Sequence, residues 1–203
     1  MPPPRPRLAV TLGDCAGIGP ELVLQALASP DLAAICQLLV YGNRSLLTRV
    51  AAATGNRLPA SLLVCPHEDV AAGALPSDRH VLIDFPFAEA ATLAPGIVQP
   101  ACGARAYDWI CAAAQDVLAG RANALVTAPV NKAALHEAGI NFPGHTEILA
   151  HLTGTPNPCM AFYSPGLVIS LATIHEALSD VPRLLTAEAL LRTIRLTHAA
   201  CQG

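Results

Sequence analysis

Two histidines carry the clearest chemical signal in this sequence. His145 stands in Gly144-His145-Thr146-Glu147, and His175 closes Ala172-Thr173-Ile174-His175 thirty positions later, each at the edge of an apolar, regularly patterned segment. An imidazole in such a place is suited to ligating a metal or holding an anionic substrate. Beside His145, the Thr146 hydroxyl adds a donor for a phosphate or carboxylate. A lone histidine where a strand gives way to a loop, as His175 is, more often serves structure, so both readings stand for it.

The run Thr11-Leu12-Gly13-Asp14-Cys15-Ala16-Gly17-Ile18-Gly19-Pro20-Glu21 reads as strand, turn and helix. Its three glycines permit a tight turn beside a helix N-terminus, where free N–H groups and the helix dipole favour an anion. The spacing is not GxGxxG, and no Gly-Lys-Ser/Thr makes it a P-loop. Anion binding and a purely structural turn are equally open here, and Asp14 fits an Asx turn as well. Thr127-Ala128-Pro129-Val130-Asn131-Lys132 follows a strand at its carboxyl end, where open α/β sheets place their ligands. Lys132 is the only lysine, against eleven arginines. A solvated lysine at a helix start is its plainer reading. His145 and His151 are six apart and face different sides of a helix, which excludes a HExxH-type pair; Glu147 and His151, at i,i+4, fit a surface pair. His67, His80, His136 and His198 show no constellation.

Alternating strands and helices must position these groups. Strands are expected over Leu8–Leu12, Cys36–Tyr41, Leu62–Val64, His80–Phe85, Asn123–Thr127 (a buried one), Met160–Tyr163 and Leu167–Thr173. Helices are expected over Pro20–Ala28, Arg44–Thr54, Ala104–Ala119, Lys132–Ala138, His145–Leu152 and Ala187–Ala200. Gly55 closes the second helix. In the third, Tyr107, Ile110, Cys111, Ala114, Val117 and Leu118 share a face. Thr186 occupies the N-cap position of the last helix, and Gly203 stands past its end. The stretches Ala71–Ser77 and Ala94–Pro100 read as loops. The pattern implies an α/β protein with a largely parallel or mixed sheet.

Composition narrows the classes further. Hydrophobic residues make up 53% of the 203 and charged residues 13%, which argues against intrinsic disorder. A net charge of −3 without any Lys/Arg cluster leaves no footprint for nucleic acid. The longest apolar stretch, around Met160–Ile174, is broken by Ser164, Pro165, Gly166 and Ser170, which argues against a membrane span. The proline-rich start lacks the apolar core of a signal peptide. Seven cysteines without a CxxC pair point to reduced thiols in a cytoplasm.

Taken together, Gly13-Asp14-Cys15-Ala16-Gly17-Ile18-Gly19-Pro20-Glu21, Thr127-Ala128-Pro129-Val130-Asn131-Lys132, Gly144-His145-Thr146-Glu147 and Thr173-Ile174-His175 resemble the 4-hydroxythreonine-4-phosphate dehydrogenase family of vitamin B6 biosynthesis. Leu178-Ser179-Asp180-Val181-Pro182 is similar to the same family. The resemblance implies an α/β fold like that of isocitrate and isopropylmalate dehydrogenases, a mixed, mostly parallel sheet flanked by helices. Residues 1–203 would form the N-terminal and central part of the dehydrogenase domain, with 1–7 a flexible leader. It further implies a cytoplasmic homodimer with its active site between subunits, using NAD or NADP and a divalent metal (zinc, magnesium or cobalt). In that family the C3 hydroxyl of 4-phosphooxy-L-threonine is oxidised, and the resulting β-keto acid loses CO2 to give 3-amino-2-oxopropyl phosphate. The metal polarises the reacting oxygen. Positions matching His145 and Thr146 contact this small phosphorylated amino-acid substrate, and the position matching His175 is a metal ligand. Asp14 and Lys132 lie in family motifs without an assigned role.

Two departures set further expectations. Cys15 stands where the family usually has proline. Family members are also longer, and their two other metal histidines lie in motifs reading roughly Asn-Pro-His-Ala-Gly-Glu and Tyr-His-Asp-Gln-Gly, neither of which occurs here. A catalytic metal needs about three protein ligands. The expectation is therefore a truncated, N-terminal portion with little or no dehydrogenase activity by itself. The alternatives are a dehydrogenase for D-threonate or D-erythronate 4-phosphate, and a non-catalytic folded remnant, or an oligomerisation or phosphate-binding module.

Overall fold

A computed structural model describes residues 5–73 and 75–202. The chain divides after Gly154 into two compact units. The first is built on strands β1 (Arg7–Thr11), β2 (Gln37–Gly42), β3 (Leu63–Cys65), β4 (Val81–Asp84) and β5 (Ala124–Thr127). They form one parallel sheet in the order β3-β4-β2-β1-β5. Its helices are α1 (Gly19–Ala28), α2 (Pro30–Ile35), α3 (Arg44–Thr54), α4 (His67–Ala71), α5 (Pro100–Leu118), α6 (Lys132–Glu137) and α7 (His145–Thr153), with a 3-10 turn at Ala88–Ala91. The expected α/β architecture with a parallel sheet flanked by helices is present.

Local chemistry explains the boundaries. β2 is buried along its whole length, and its apolar run Leu38-Leu39-Val40-Tyr41 suits a strand covered on both faces. Asn43 caps α3 by accepting from Leu46 N at 3.0 Å, Ser29 caps α2 and Asn131 caps α6. Gly55 ends α3 in the left-handed conformation, as expected. Gly103 lets α5 and α6 approach closely, because a Cβ there would lie 2.1 Å from the Ala134 carbonyl oxygen.

Several expectations are corrected. The sheet begins at Arg7, inside the expected leader; the Arg7 guanidinium donates to Gln37 at 3.1 Å, and Arg5 donates to the carbonyls of Ala33 and Ser77. Residues 1–4 of that leader lie outside the described residues. Asn123–Thr127 is not a buried strand: β5 is a sheet edge paired to β1 alone, and Val126 is 47% exposed. In α5 the expected Ile110 and Ala114 are buried, but the covered surface is wider than expected and takes in Cys102, Ala106, Trp109, Ala113 and Asp116, while Leu118 is exposed. The stretch expected as a loop from Ala71 starts inside α4, and Ala74 within it lies outside the described residues.

The second unit holds an antiparallel hairpin, β6 (Ala161–Ser164) with β7 (Leu167–Ser170), followed by α8 (Val181–Leu184) and α9 (Ala187–Gln202). β7 stops three residues short of the expected Thr173. Thr186 caps α9 as expected, its hydroxyl accepting from Ala189 N at 3.1 Å. Gly203, read as the residue past this helix, lies outside the described residues. The Thr197 hydroxyl lies 2.7 Å from Ser170 Oγ and ties α9 to the hairpin. None of the described residues in 155–202 is buried.

Candidate functional site

β1 and β5 are neighbours in the sheet, so the loops that follow their carboxyl ends lie side by side. The carboxyl ends of parallel strands are where α/β sheets place their ligands. The two loops are pressed together here: Asp14 N donates to the Pro129 carbonyl at 2.9 Å. Gly13 has φ +65, and a Cβ on it would lie 2.3 Å from that same carbonyl oxygen, so only glycine fits. The Asp14 carboxylate accepts from Ala16 N at 3.0 Å, which is the Asx-turn reading of this residue.

The segment after β5 gathers the other candidates. Asn131 caps α6, which places Lys132 at its first position, exposed. Across from it Gly144 opens α7, and a Cβ on Gly144 would lie 3.7 Å from Lys132 Cε. His145 and Thr146 are the first residues of α7, where unpaired backbone N–H groups favour an anion. The His145 Nε2 is buried and makes no hydrogen bond. Burial lowers its pKa, and a hydrogen bond to the Ala128 carbonyl partly offsets this, so the ring is held toward its neutral form. A neutral imidazole with an unpartnered nitrogen, a neighbouring hydroxyl, a helix N-terminus and a lysine are together suited to binding a phosphorylated or carboxylate-bearing molecule. Among the ion pairs of the described residues none joins Glu147 and His151; His151 packs on Phe142, with ring centroids 5.4 Å apart.

Asp14, Lys132, His145 and Thr146 thus meet around residues 128–132 of the first unit. His175 belongs to the second unit. It is exposed and has φ +60, the one non-glycine residue with positive φ among those described. Among the described residues no group of three or more His, Cys, Asp or Glu side chains could hold a metal ion. His175 offers one nitrogen where about three protein ligands are needed, so the described residues do not complete a metal site.

Sequence reasoning missed two clusters. His67, read as ordinary, lies 3.1 Å from Asp116, which is fully buried. Asp116 also accepts from the Tyr41 hydroxyl at 2.5 Å and from the Arg121 Nε at 2.7 Å. Burial and this bond to Asp116 push the Tyr41 phenol well above its usual range. The second cluster is Cys15 with Cys102, both buried.

Comparison with known proteins adds the remaining findings. Residues 34–203 match the family described as pyridoxal phosphate biosynthetic protein PdxA. A 4-hydroxythreonine-4-phosphate dehydrogenase of Geobacter metallireducens is 39% identical over 199 residues, covering 98% of this chain and 57% of that protein. A relative from Symbiobacterium thermophilum, named provisionally as a D-threonate 4-phosphate dehydrogenase, is 37% identical, with 98% and 58% covered. The crystal structure of 4-hydroxythreonine-4-phosphate dehydrogenase from Klebsiella pneumoniae superposes with a TM-score of 0.86 at 34% identity, covering 98% of this chain and 59% of that one. This chain therefore spans a little under three fifths of the length of these proteins.

Proposed function

This chain belongs to the PdxA family of pyridoxal phosphate biosynthetic proteins, and from that premise we propose that it supplies the substrate-holding half of a 4-hydroxythreonine-4-phosphate dehydrogenase. The reaction is oxidation of the C3 hydroxyl of 4-phosphooxy-L-threonine by NAD or NADP, followed by decarboxylation, in the cytoplasm. The observation that carries the reading is the buried, unpartnered His145 Nε2 at the start of α7, next to Thr146 and Lys132. Burial already disfavours its charged form, so this nitrogen accepts or donates a hydrogen bond to a bound polar group without first gaining a charge. Thr146 and the N-terminal N–H groups of α7 hold an anionic group, and Lys132 adds a positive charge on the same side. Asp14 acts by keeping the Gly-rich turn closed on Pro129.

A divalent metal (zinc, magnesium or cobalt) with His175 as a ligand is part of this reading, and the described residues supply only that one donor. No step is therefore assigned to it. Homodimer formation is also part of the reading, supported by the exposed apolar side chains of the second unit, among them Tyr163 at 82% and Leu178 at 86%. The provisional name of the Symbiobacterium relative supports D-threonate 4-phosphate as a second substrate candidate.

The test is reduced-nicotinamide formation by the 203-residue chain with 4-phosphooxy-L-threonine, NAD or NADP, and each metal in turn, alongside calorimetric binding of the substrate. The expected result is binding that His145→Ala weakens about tenfold or more, in line with loss of a hydrogen bond to a charged group, and no turnover by this chain alone. Metal-dependent turnover abolished by His175→Ala would show a complete site and overturn the need for further ligands. Folded protein with no binding at all would overturn the substrate role of His145.

A further inference from the structure

A second cleft opens at the other end of the first unit's sheet, and the reading above does not use it. Arg5 precedes β1, residues 57–61 lead into β3 and His80 precedes β4, so the parallel register gathers them at the amino ends of the strands. The paired loops of Asp14 and Pro129 lie at the carboxyl ends instead. The amino-end cleft has a volume of about 480 Å³, room for a small organic molecule. Its charges do not balance. Among the described residues that line it, the guanidinium groups of Arg5, Arg57 and Arg79 face one carboxylate, that of Asp78. Asp78 is taken by Arg79 at 2.8 Å. Arg5 donates only to the neutral carbonyls of Ala33 and Ser77, and none of the ion pairs of the described residues engages Arg5 or Arg57.

We propose that this cleft binds a phosphate monoester with an apolar body, its phosphate held between Arg5 and Arg57 and its body laid on Leu27, Leu58 and Pro59. A phosphate monoester carries about −1.5 to −2 charge near pH 7, which matches the two guanidinium groups that have no carboxylate partner. A carboxylate ligand would leave one of them unmet. The planar fork of arginine bonds phosphate oxygens in pairs, and Arg5 keeps donors beyond the two that its carbonyl partners occupy. His80 adds no charge to the site. Leu38 N donates to its Nδ1 at 3.1 Å, and burial, then the Arg5 charge, hold the ring toward its neutral form. The ring proton therefore sits on Nε2, a covered donor without a partner in the fold.

The wall decides for an ester over free phosphate. Leu27 and Leu58, with Pro30 and Pro59, give the cleft an apolar side that bare phosphate cannot use. A ligand seated there braces Arg5, the end of α1 and the segment entering β3 against one another, without touching His145.

Amide NMR and calorimetry on the full 203-residue chain test this with phenyl phosphate as the probe, and with phenol and inorganic phosphate as controls. Phenyl phosphate should shift the amides of residues 27–37, 57–61 and 78–80, and should bind more tightly than either control. The same shifts should persist in His145→Ala. Arg57 is exposed, so Arg57→Gln should leave thermal unfolding unchanged while weakening binding about tenfold or more, in line with loss of a hydrogen bond to a charged group. Shifts confined to residues 144–147, unchanged affinity in folded Arg57→Gln, or equally tight binding of phenol would overturn the site. Equal affinity for inorganic phosphate would overturn the assignment of an ester.

Discussion

The two units of this chain treat their apolar residues in opposite ways. Up to Gly154, Leu39, Leu46, Leu47, Ile83 and Trp109 are fully covered around a parallel sheet. From Thr155 on, no described residue is buried, and Phe162, Leu167, Ile169 and Ile194 are all exposed. Both regions have regular elements and capped helices, α3 by Asn43 in the first and α9 by Thr186 in the second. Secondary structure and capping are local properties, whereas burial needs layers on both sides of an element. The first unit provides those layers for itself. The second has a hairpin and two helices, too few to enclose an apolar side chain, and folding has to offset about 1–2 kcal/mol of backbone entropy per residue.

The sharpest way to break this comparison is to separate the units. The segment 1–154 is expected to unfold cooperatively by thermal circular dichroism, and 155–203 to show no cooperative transition. A sigmoidal melt for the latter would mean that its exposed face is not a stability deficit. Next in size is Asp116→Ala, which strips Tyr41, His67 and Arg121 of their shared acceptor. Loss of one partner from a buried charge pair costs about 3–5 kcal/mol, measured by urea unfolding. A third test pairs equivalent truncations across the units. Ile148→Ala, in the buried cluster with Ile110 and Leu135, should cost about 2–5 kcal/mol. Ile194→Ala, 55% exposed on α9, should stay within about 0.5 kcal/mol. Equal costs would erase the distinction between the units.

The smallest expected effect is a pH dependence confined to the first unit. Burial lowers the folded pKa of His145 below its ordinary 6.5, so the unfolded chain binds the proton more readily. The stability contributed by the neutral ring is complete above about pH 6.5 and is lost as pH falls through the folded value. His145→Asn should flatten the stability profile over that acid range. An unchanged slope would mean that the ring is not held neutral by the fold.

Most of the first unit was legible because each element announces itself within a few residues. α3 has Asn43 before it and Gly55 after it, and β2 is an unbroken apolar run. The short helix α2 was not legible, because no glycine stop follows it, whereas the equally short α6 is closed by Gly139. α4 has such a stop in Gly73, but that glycine falls in a stretch that reads as a loop. The buried surface of α5 was read too narrowly for a different reason. With so many alanines, several faces look apolar, and Trp109 and Asp116 on one stripe were the overlooked signal. As for the site, the sequence placed His145 and Thr146 at a helix start and Lys132 after a strand. It gave no sign that Gly13 and Pro129 touch, or that His67 and Tyr41 both reach Asp116. Those contacts join residues scores of positions apart, and only the sheet order brings them together.

The single lysine has a practical consequence. Amine-directed chemistry finds one side-chain target in this chain, and that target stands against the entrance to α7. An amine-reactive fluorophore attached at Lys132 becomes an optical reporter beside His145 without any engineered residue. Labelling that slows when a phosphorylated ligand is present then maps occupancy of this one place by mass alone.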